Sequence, residues 1–180
     1  MKKIILAIMA VFTLAQADGF IVGTELNYAK VNSELKASIP GYSETYTGST
    51  KTLGIAFKGG YQFDKVKVYG VITSEKYKDY MVVENEGNAV SFGAEVDYMI
   101  ENVFIGATLA KGTKDFNSVD IDFTDVGVRL GATADINTDI AIEGGVQYKK
   151  RSYDSYNYSG VDIGLDEKII GVFVGLSFNL

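Results

Sequence analysis

The chain has 180 residues, with 17 Lys and Arg against 23 Asp and Glu, one Pro, and no Cys, His or Trp. Without His there can be no Ser-His-Asp triad, imidazole base or His-rich metal site, and without Cys no disulfide, Cys-zinc site or lipid-modified N-terminal Cys. A net charge of −6 makes nucleic acid a poor partner, and none is expected.

Lys2 and Lys3 precede an apolar run from Ile4 to Leu14, and Ala15-Gln16-Ala17 offers small residues for cleavage before Asp18. Residues 1–17 therefore read as a secretory signal peptide cleaved after Ala17, and residues 18–180 as one domain. The run is too short to cross a bilayer as a helix. Removing it leaves 15 basic against 23 acidic residues, a net −8.

Eight segments follow in which apolar residues occupy every second position, the signature of a strand with one greasy face. The first sets Phe20, Val22, Leu26 and Tyr28 against Ile21, Gly23, Glu25 and Asn27. Polar residues 31–51, with Pro40 in an Ile-Pro-Gly turn signal, read as a loop. The second strand carries Leu53, Ile55, Phe57, Tyr61 and Phe63 opposite Gly54, Ala56, Lys58 and Gly60, and Asp64-Lys65 turns it into a third strand bearing Val66, Val68 and Ile72. Residues 75–88 read as a second long connection.

Strand four shows Val90, Phe92, Val96 and Tyr98 opposite Ser91, Gly93, Glu95 and Asp97, and Glu101-Asn102 turns it into strand five, Val103 to Ala110. Residues 111–122 are a third connection. Strand six sets Val126, Val128 and Leu130 against Gly127, Arg129 and Gly131, and Asn137-Thr138-Asp139 leads into strand seven, Ile140 to Tyr148. Residues 149–167 are a fourth connection. The final strand, Lys168 to Leu180, must pair both edges, most simply by closing a barrel against the first.

Connections alternate long and short, as in transmembrane barrels with short periplasmic turns and long outer loops. A soluble lipocalin-like barrel is the competing reading. About five large apolar side chains per strand, turned inward from eight strands, would overfill so narrow a bore. The opposite face is dominated by Gly, Ala, Ser and Thr, which suits a cramped lumen better than a solvated surface. The greasy face is therefore expected toward lipid, with Phe20, Phe63, Tyr98 and Phe178 as one interfacial belt and Tyr28, Phe92, Phe123 and Tyr148 as the other.

Inward Glu25, Lys58, Glu95 and Arg129 fall at one depth, at about 3.3 Å rise per residue on strands tilted by about 40°. Two acids and two bases at one level either plug the lumen by pairing or swap partners in a narrow gated ion pathway. Lys67, Asp97, Asp135 and Glu143 lie nearer the short-turn end. The expected loops carry Tyr42, Tyr46, Tyr77, Tyr80, Tyr153, Tyr156 and Tyr158, which form either a binding surface or strand extensions above the membrane. The basic run Lys149, Lys150, Arg151 is either a contact for lipopolysaccharide phosphates or a solvated strand end.

In signal, hairpin rhythm and terminal strand, where Gly175, Phe178 and Leu180 fit the spacing of a targeting strand, residues 18–180 resemble the small eight-stranded bacterial outer-membrane barrels. That group holds the OmpA membrane domain, OmpX and opacity-type adhesins. The resemblance implies an all-β, antiparallel, up-and-down transmembrane barrel in the outer membrane, assembled by periplasmic chaperones and the barrel-insertion machinery. It also implies contact with outer-membrane lipid and lipopolysaccharide, and with host or surface ligands. Enzymes built on such barrels rely on a catalytic His, so a non-enzymatic protein without cofactor or metal is expected. Its expected role is structural or adhesin-like, with a narrow porin-like channel as the alternative. No peptidoglycan-binding domain is expected after Leu180.

Overall fold

The computed structural model describes residues 19–39, 42–78, 87–116, 119–154, 156–158 and 161–180; residues 1–17, expected to be a signal peptide, and Pro40 lie outside them. Strands are β1 Phe20–Ile39, β2 Tyr42–Phe63, β3 Val66–Lys78, β4 Asn88–Ile100, β5 Val103–Phe116, β6 Val119–Asp135, β7 Ile140–Tyr153, β8 Tyr156–Tyr158 and β9 Val161–Asn179. All belong to one antiparallel sheet in the order β1 to β7 and then β9, and a β1–β9 pairing closes the ring. Eight strands make the barrel, and the short β8 pairs with β9 beside it. Closure leaves β1 and β9 without a free edge along the seam from Ile21–Asn179 to Ser38–Asp162.

Strand periodicity sets the two faces, because successive side chains point to opposite sides. Leu26, Phe57, Ile72, Phe92, Leu109, Val128 and Val172 all point outward and are exposed, Phe92 by 69%. Between them Glu25, Lys58, Thr73, Ser91, Arg129 and Ser177 point into the bore and are buried. Polar inside and apolar outside inverts a soluble core and matches a barrel bathed in hydrocarbon. From Ile170 along β9 to Leu180 just past its end the outward apolar row is unbroken; ten steps of about 3.3 Å at a tilt of about 40° rise about 25 Å, the height of a membrane barrel's apolar band.

Pairs Phe63–Val66 and Ile100–Val103 leave two-residue turns at one end, each opening on a left-handed residue, Asp64 at φ 52° and Glu101 at φ 56°. The third turn is held by Asn137, whose Oδ1 accepts from the backbone N–H groups of Asp139 at 2.9 Å and Ile140 at 2.8 Å.

Where loops were expected, the structure has more strand. β1 and β2 stay paired up to Ile39–Tyr42, β5 and β6 up to Phe116–Val119, and β7 runs on to Tyr153. Polar side chains are as good as apolar ones on a paired strand whose outer face meets water, so the end of the greasy row marks the membrane boundary and not the end of the strand. Two residues of the expected aromatic belts are buried. Phe123 has inward parity on β6 and sits in the bore, and Phe20 is covered at the start of β1, where it pairs with Tyr61. Phe63, Tyr98, Tyr28, Phe92 and Tyr148 are exposed as a belt requires.

Side-chain packing inside the bore explains two glycines. A Cβ on Gly106 would overlap Asp97 Oδ1 and come within 2.8 Å of Arg129 Cγ. A Cβ on Gly131 would stand 2.5 Å from the Phe104 ring. Those positions must stay empty for the long inward side chains to lie flat.

Candidate functional site: two ion-pair layers in the bore

All eight ring strands send side chains into a lower layer at mid-barrel. Lys58 on β2 donates to Glu25 on β1 and, at 2.8 Å, to Glu95 on β4. Arg129 on β6 closes the quartet, 3.0 Å from Glu25 and 2.5 Å from Glu95. Its guanidinium carbon lies 4.0 Å from the centre of the Phe173 ring on β9 and 5.1 Å from that of Phe104 on β5, so aromatic faces cover the charge where carboxylates do not. Asp97 approaches Arg129 Nε at 3.7 Å, and neither of its carboxylate oxygens has a hydrogen bond among the described residues. Toward the short turns, Lys67 on β3 pairs with Glu143 on β7 at 3.0 Å.

Four residues read from sequence as one level are thus in mutual contact, and every one is buried. Burying a charge costs several kcal/mol unless partners replace its water, and here each charge meets at least two of the opposite sign. Above the quartet, Gln147 donates to Asn27 at 2.8 Å beside a polar cavity of about 30 Å³, room for roughly one water-sized molecule.

A second layer lies higher, near the rim of the apolar band. Arg151 on β7 grips Asp125 on β6 with two bonds of 2.7 Å, reaches Glu75 on β3 at 2.7 Å, and donates to the Tyr77 hydroxyl. Its guanidinium carbon stands 3.7 Å from the centre of the Phe123 ring. Lys114 on β5 donates to Glu167 on β9 at 2.9 Å and sits 3.5 Å from the centre of the Tyr77 ring. Glu167 also accepts from Tyr153 at 2.9 Å, Tyr77 at 3.3 Å and Ser33 at 3.4 Å. Arg151, Lys114 and Glu167 have no exposed surface. Val31, Ala29, Ala89 and Ile169 pack with Phe123, Tyr77 and Tyr153, and partly buried Ile121 and Leu165 lie against them. Among the described residues no group of three acidic side chains could hold a metal ion.

Sequence reasoning missed this layer because it assigned Glu75, Tyr77, Lys114, Arg151, Tyr153 and Glu167 to loops. The signal was parity: Thr73, Glu75 and Tyr77 continue the inward phase of β3, as Gln147, Lys149, Arg151 and Tyr153 continue that of β7. The same parity breaks up the basic run proposed as one lipopolysaccharide contact. Arg151 and Lys149 point inward, the former fully buried, and only Lys150 faces out, 3.5 Å from Asp166.

The tyrosines divide likewise. Tyr77 and Tyr153 are buried ligands of Glu167, which removes them from any loop surface. Tyr42 and Tyr46 are exposed near the tip of the β1–β2 hairpin, and both hydroxyls donate to Glu44. Those bonds, that from Tyr42 foremost, hold the Glu44 carboxyl below its usual range and raise both phenols. Tyr80 lies outside the described residues, and Tyr156 and Tyr158 belong to the backbone of β8. Asp135 is exposed at the short-turn end.

Solved structures of bacterial surface and outer-membrane proteins share this architecture. Neisserial surface protein A matches 86% of this chain and 97% of its own at 16% identity and a TM-score of 0.51. Outer membrane protein OprG from Pseudomonas aeruginosa matches 92% of this chain and 98% of its own at 14% identity and a TM-score of 0.52. Outer membrane protein AlkL, solved in DMPC bilayers, matches 91% of this chain and 92% of its own at 12% identity and a TM-score of 0.51. No protein-family model and no curated relative matches the chain. At these identities the likeness is one of fold: the chain has the fold of the small eight-stranded outer-membrane β-barrels.

Proposed function

We propose that residues 18–180 form a closed, non-enzymatic barrel integral to a bacterial outer membrane, with a structural role and with its outer hairpin ends as the surface it offers to other molecules. The observation that carries this reading is the double seal. An ion crossing the bore must part Arg129 and Lys58 from Glu25 and Glu95, and then part Arg151 and Lys114 from Asp125, Glu75 and Glu167. Breaking one buried pair costs about 3–5 kcal/mol, and the two layers share no residue, so opening one does not open the other. The absence of His, the outward apolar band and the gathering of the short turns at one end support the same reading. Assembly proceeds through periplasmic chaperones and the barrel-insertion machinery, with β9 as the strand they read.

Planar-bilayer recording of the refolded barrel tests the seal. The native chain and Arg129→Ala give no discrete conductance steps, because the upper layer persists, whereas Arg129→Ala combined with Arg151→Ala conducts. Steady steps from the native chain would replace this reading with a channel. For the hairpin, cells displaying Tyr42→Ala and Tyr46→Ala attach more weakly to matrix-coated surfaces; equal attachment takes that surface out of the proposal.

A further inference from the structure

Just above the apolar band the outer wall of the barrel carries lysines set directly against one another. Lys30 on β1 is paired with Lys51 on β2, Lys51 with Lys78 on β3, and Lys150 on β7 with Lys168 on β9. All five have outward parity and are exposed. Because β9 pairs with β1, Lys168 opposite Asn32 is a diagonal neighbour of Lys30, and the five form one arc over β7, β9, β1, β2 and β3. Like charges directly opposed on a sheet destabilise it, and an acidic chain had ample carboxylate to avoid them. Of the five, Lys150 makes an ion pair, with Asp166 at 3.5 Å; among the described residues Lys30, Lys51, Lys78 and Lys168 make none.

Height and shape narrow the counter-ion. Each lysine but Lys78 stands one position beyond the last large apolar residue in the outward row of its strand: Tyr28 below Lys30, Leu53 below Lys51, Tyr148 below Lys150 and Ile170 below Lys168. An open groove of about 550 Å³ runs from Tyr28 and Leu53 up to Lys51 and Lys78, and another of about 630 Å³ lies among Lys30, Lys150 and Lys168, its far side lined by Asp166 and by Glu34, which pairs with Lys36 at 3.0 Å. Cations over a greasy wall suit a molecule with phosphate above and acyl chain below. On the opposite wall the corresponding positions are Asn88 on β4, Lys111 on β5 and Thr124 on β6; a groove of about 480 Å³ over Val90 and Phe92 holds a single lysine there, Lys111, beside Asp122 and Asp154.

We propose that this arc is a binding site for the phosphate groups of a phosphorylated glycolipid of the outer leaflet, its acyl chains lying along Tyr28 and Leu53. The site rests on the outer-membrane location proposed above and replaces the contact expected at Lys149–Arg151 with Lys150 and four lysines distant in sequence.

The test uses the folded barrel in detergent and native mass spectrometry with diphosphoryl lipid A, the same lipid dephosphorylated, and inorganic phosphate. The native barrel retains diphosphoryl lipid A about tenfold better than the dephosphorylated form. Changing all five lysines to Gln abolishes that preference, Lys111→Gln keeps it, and the five Lys→Arg changes keep it. Heat-modifiability on gels identifies folded variants; should the five-Gln form not fold, Lys150→Gln with Lys168→Gln carries the test, with a loss of several-fold. An undiminished preference in the folded Gln variants, or an equal loss in Lys111→Gln, overturns the proposal. Displacement of the lipid by millimolar inorganic phosphate overturns the lipid as the source. Insertion into neutral phosphatidylcholine vesicles is scored separately, because its failure counts against the membrane location and not against the arc.

Discussion

Arg129 shows what single residues contribute to this barrel. It touches Glu25 and Glu95, approaches Asp97, and is covered by two rings, so truncation leaves acidic side chains buried with Lys58 as the remaining partner of the quartet. Arg129→Ala is therefore expected to cost about 3–5 kcal/mol in reversible urea unfolding from lipid vesicles. Arg129→Lys keeps the charge and loses the planar fork, and it recovers part of that cost. A cost within about 0.5 kcal/mol for the alanine variant would mean the quartet does not bear on stability. Gly106 belongs to the same account, since its missing Cβ is the space in which Asp97 and Arg129 meet.

At the scale of the strand, what the sequence makes legible is the greasy row and what it hides is everything beyond that row. Leu26, Phe57, Val128 and Val172 announce their strands and their outward face, and the inward parity of Glu25, Lys58, Glu95 and Arg129 places them at one depth. Beyond Tyr28 and Leu53 the outward residues become polar, and hydropathy can no longer tell a paired strand from a loop. Backbone pairing continues nonetheless from Val31–Thr50 to Ile39–Tyr42. The second ion layer lay in this blind stretch, although the alternation of Glu75 with Tyr77 and of Arg151 with Tyr153 carried its phase. The extension makes a prediction of its own: in amide hydrogen exchange by NMR, Ser33 to Ala37 and Thr45 to Ser49 show cooperative protection. Exchange at the rate of an unstructured peptide across both stretches would restore the loop.

For the molecule as a whole, one inversion governs the rest. Hydrocarbon takes the side chains that water would expel, and the bore takes the polar ones, which then find partners only in each other. Closure of β1 on β9 makes that bore continuous and narrow enough for one arginine to reach carboxylates on two or more strands in each layer. Such a barrel carries two ion-pair layers along its axis, and its outer wall bears on one side an arc of exposed lysines set against one another. The outward direction of the apolar rows underlies both conclusions. The native chain has no cysteine, so single cysteines placed on β6 and spin-labelled in vesicles report that direction without background. Labels at Val126, Val128 and Leu130 are expected to be open to oxygen and closed to a water-soluble nickel reagent, with the reverse at Thr124. Uniform nickel access at all four positions would put the greasy face in water and contradict the account.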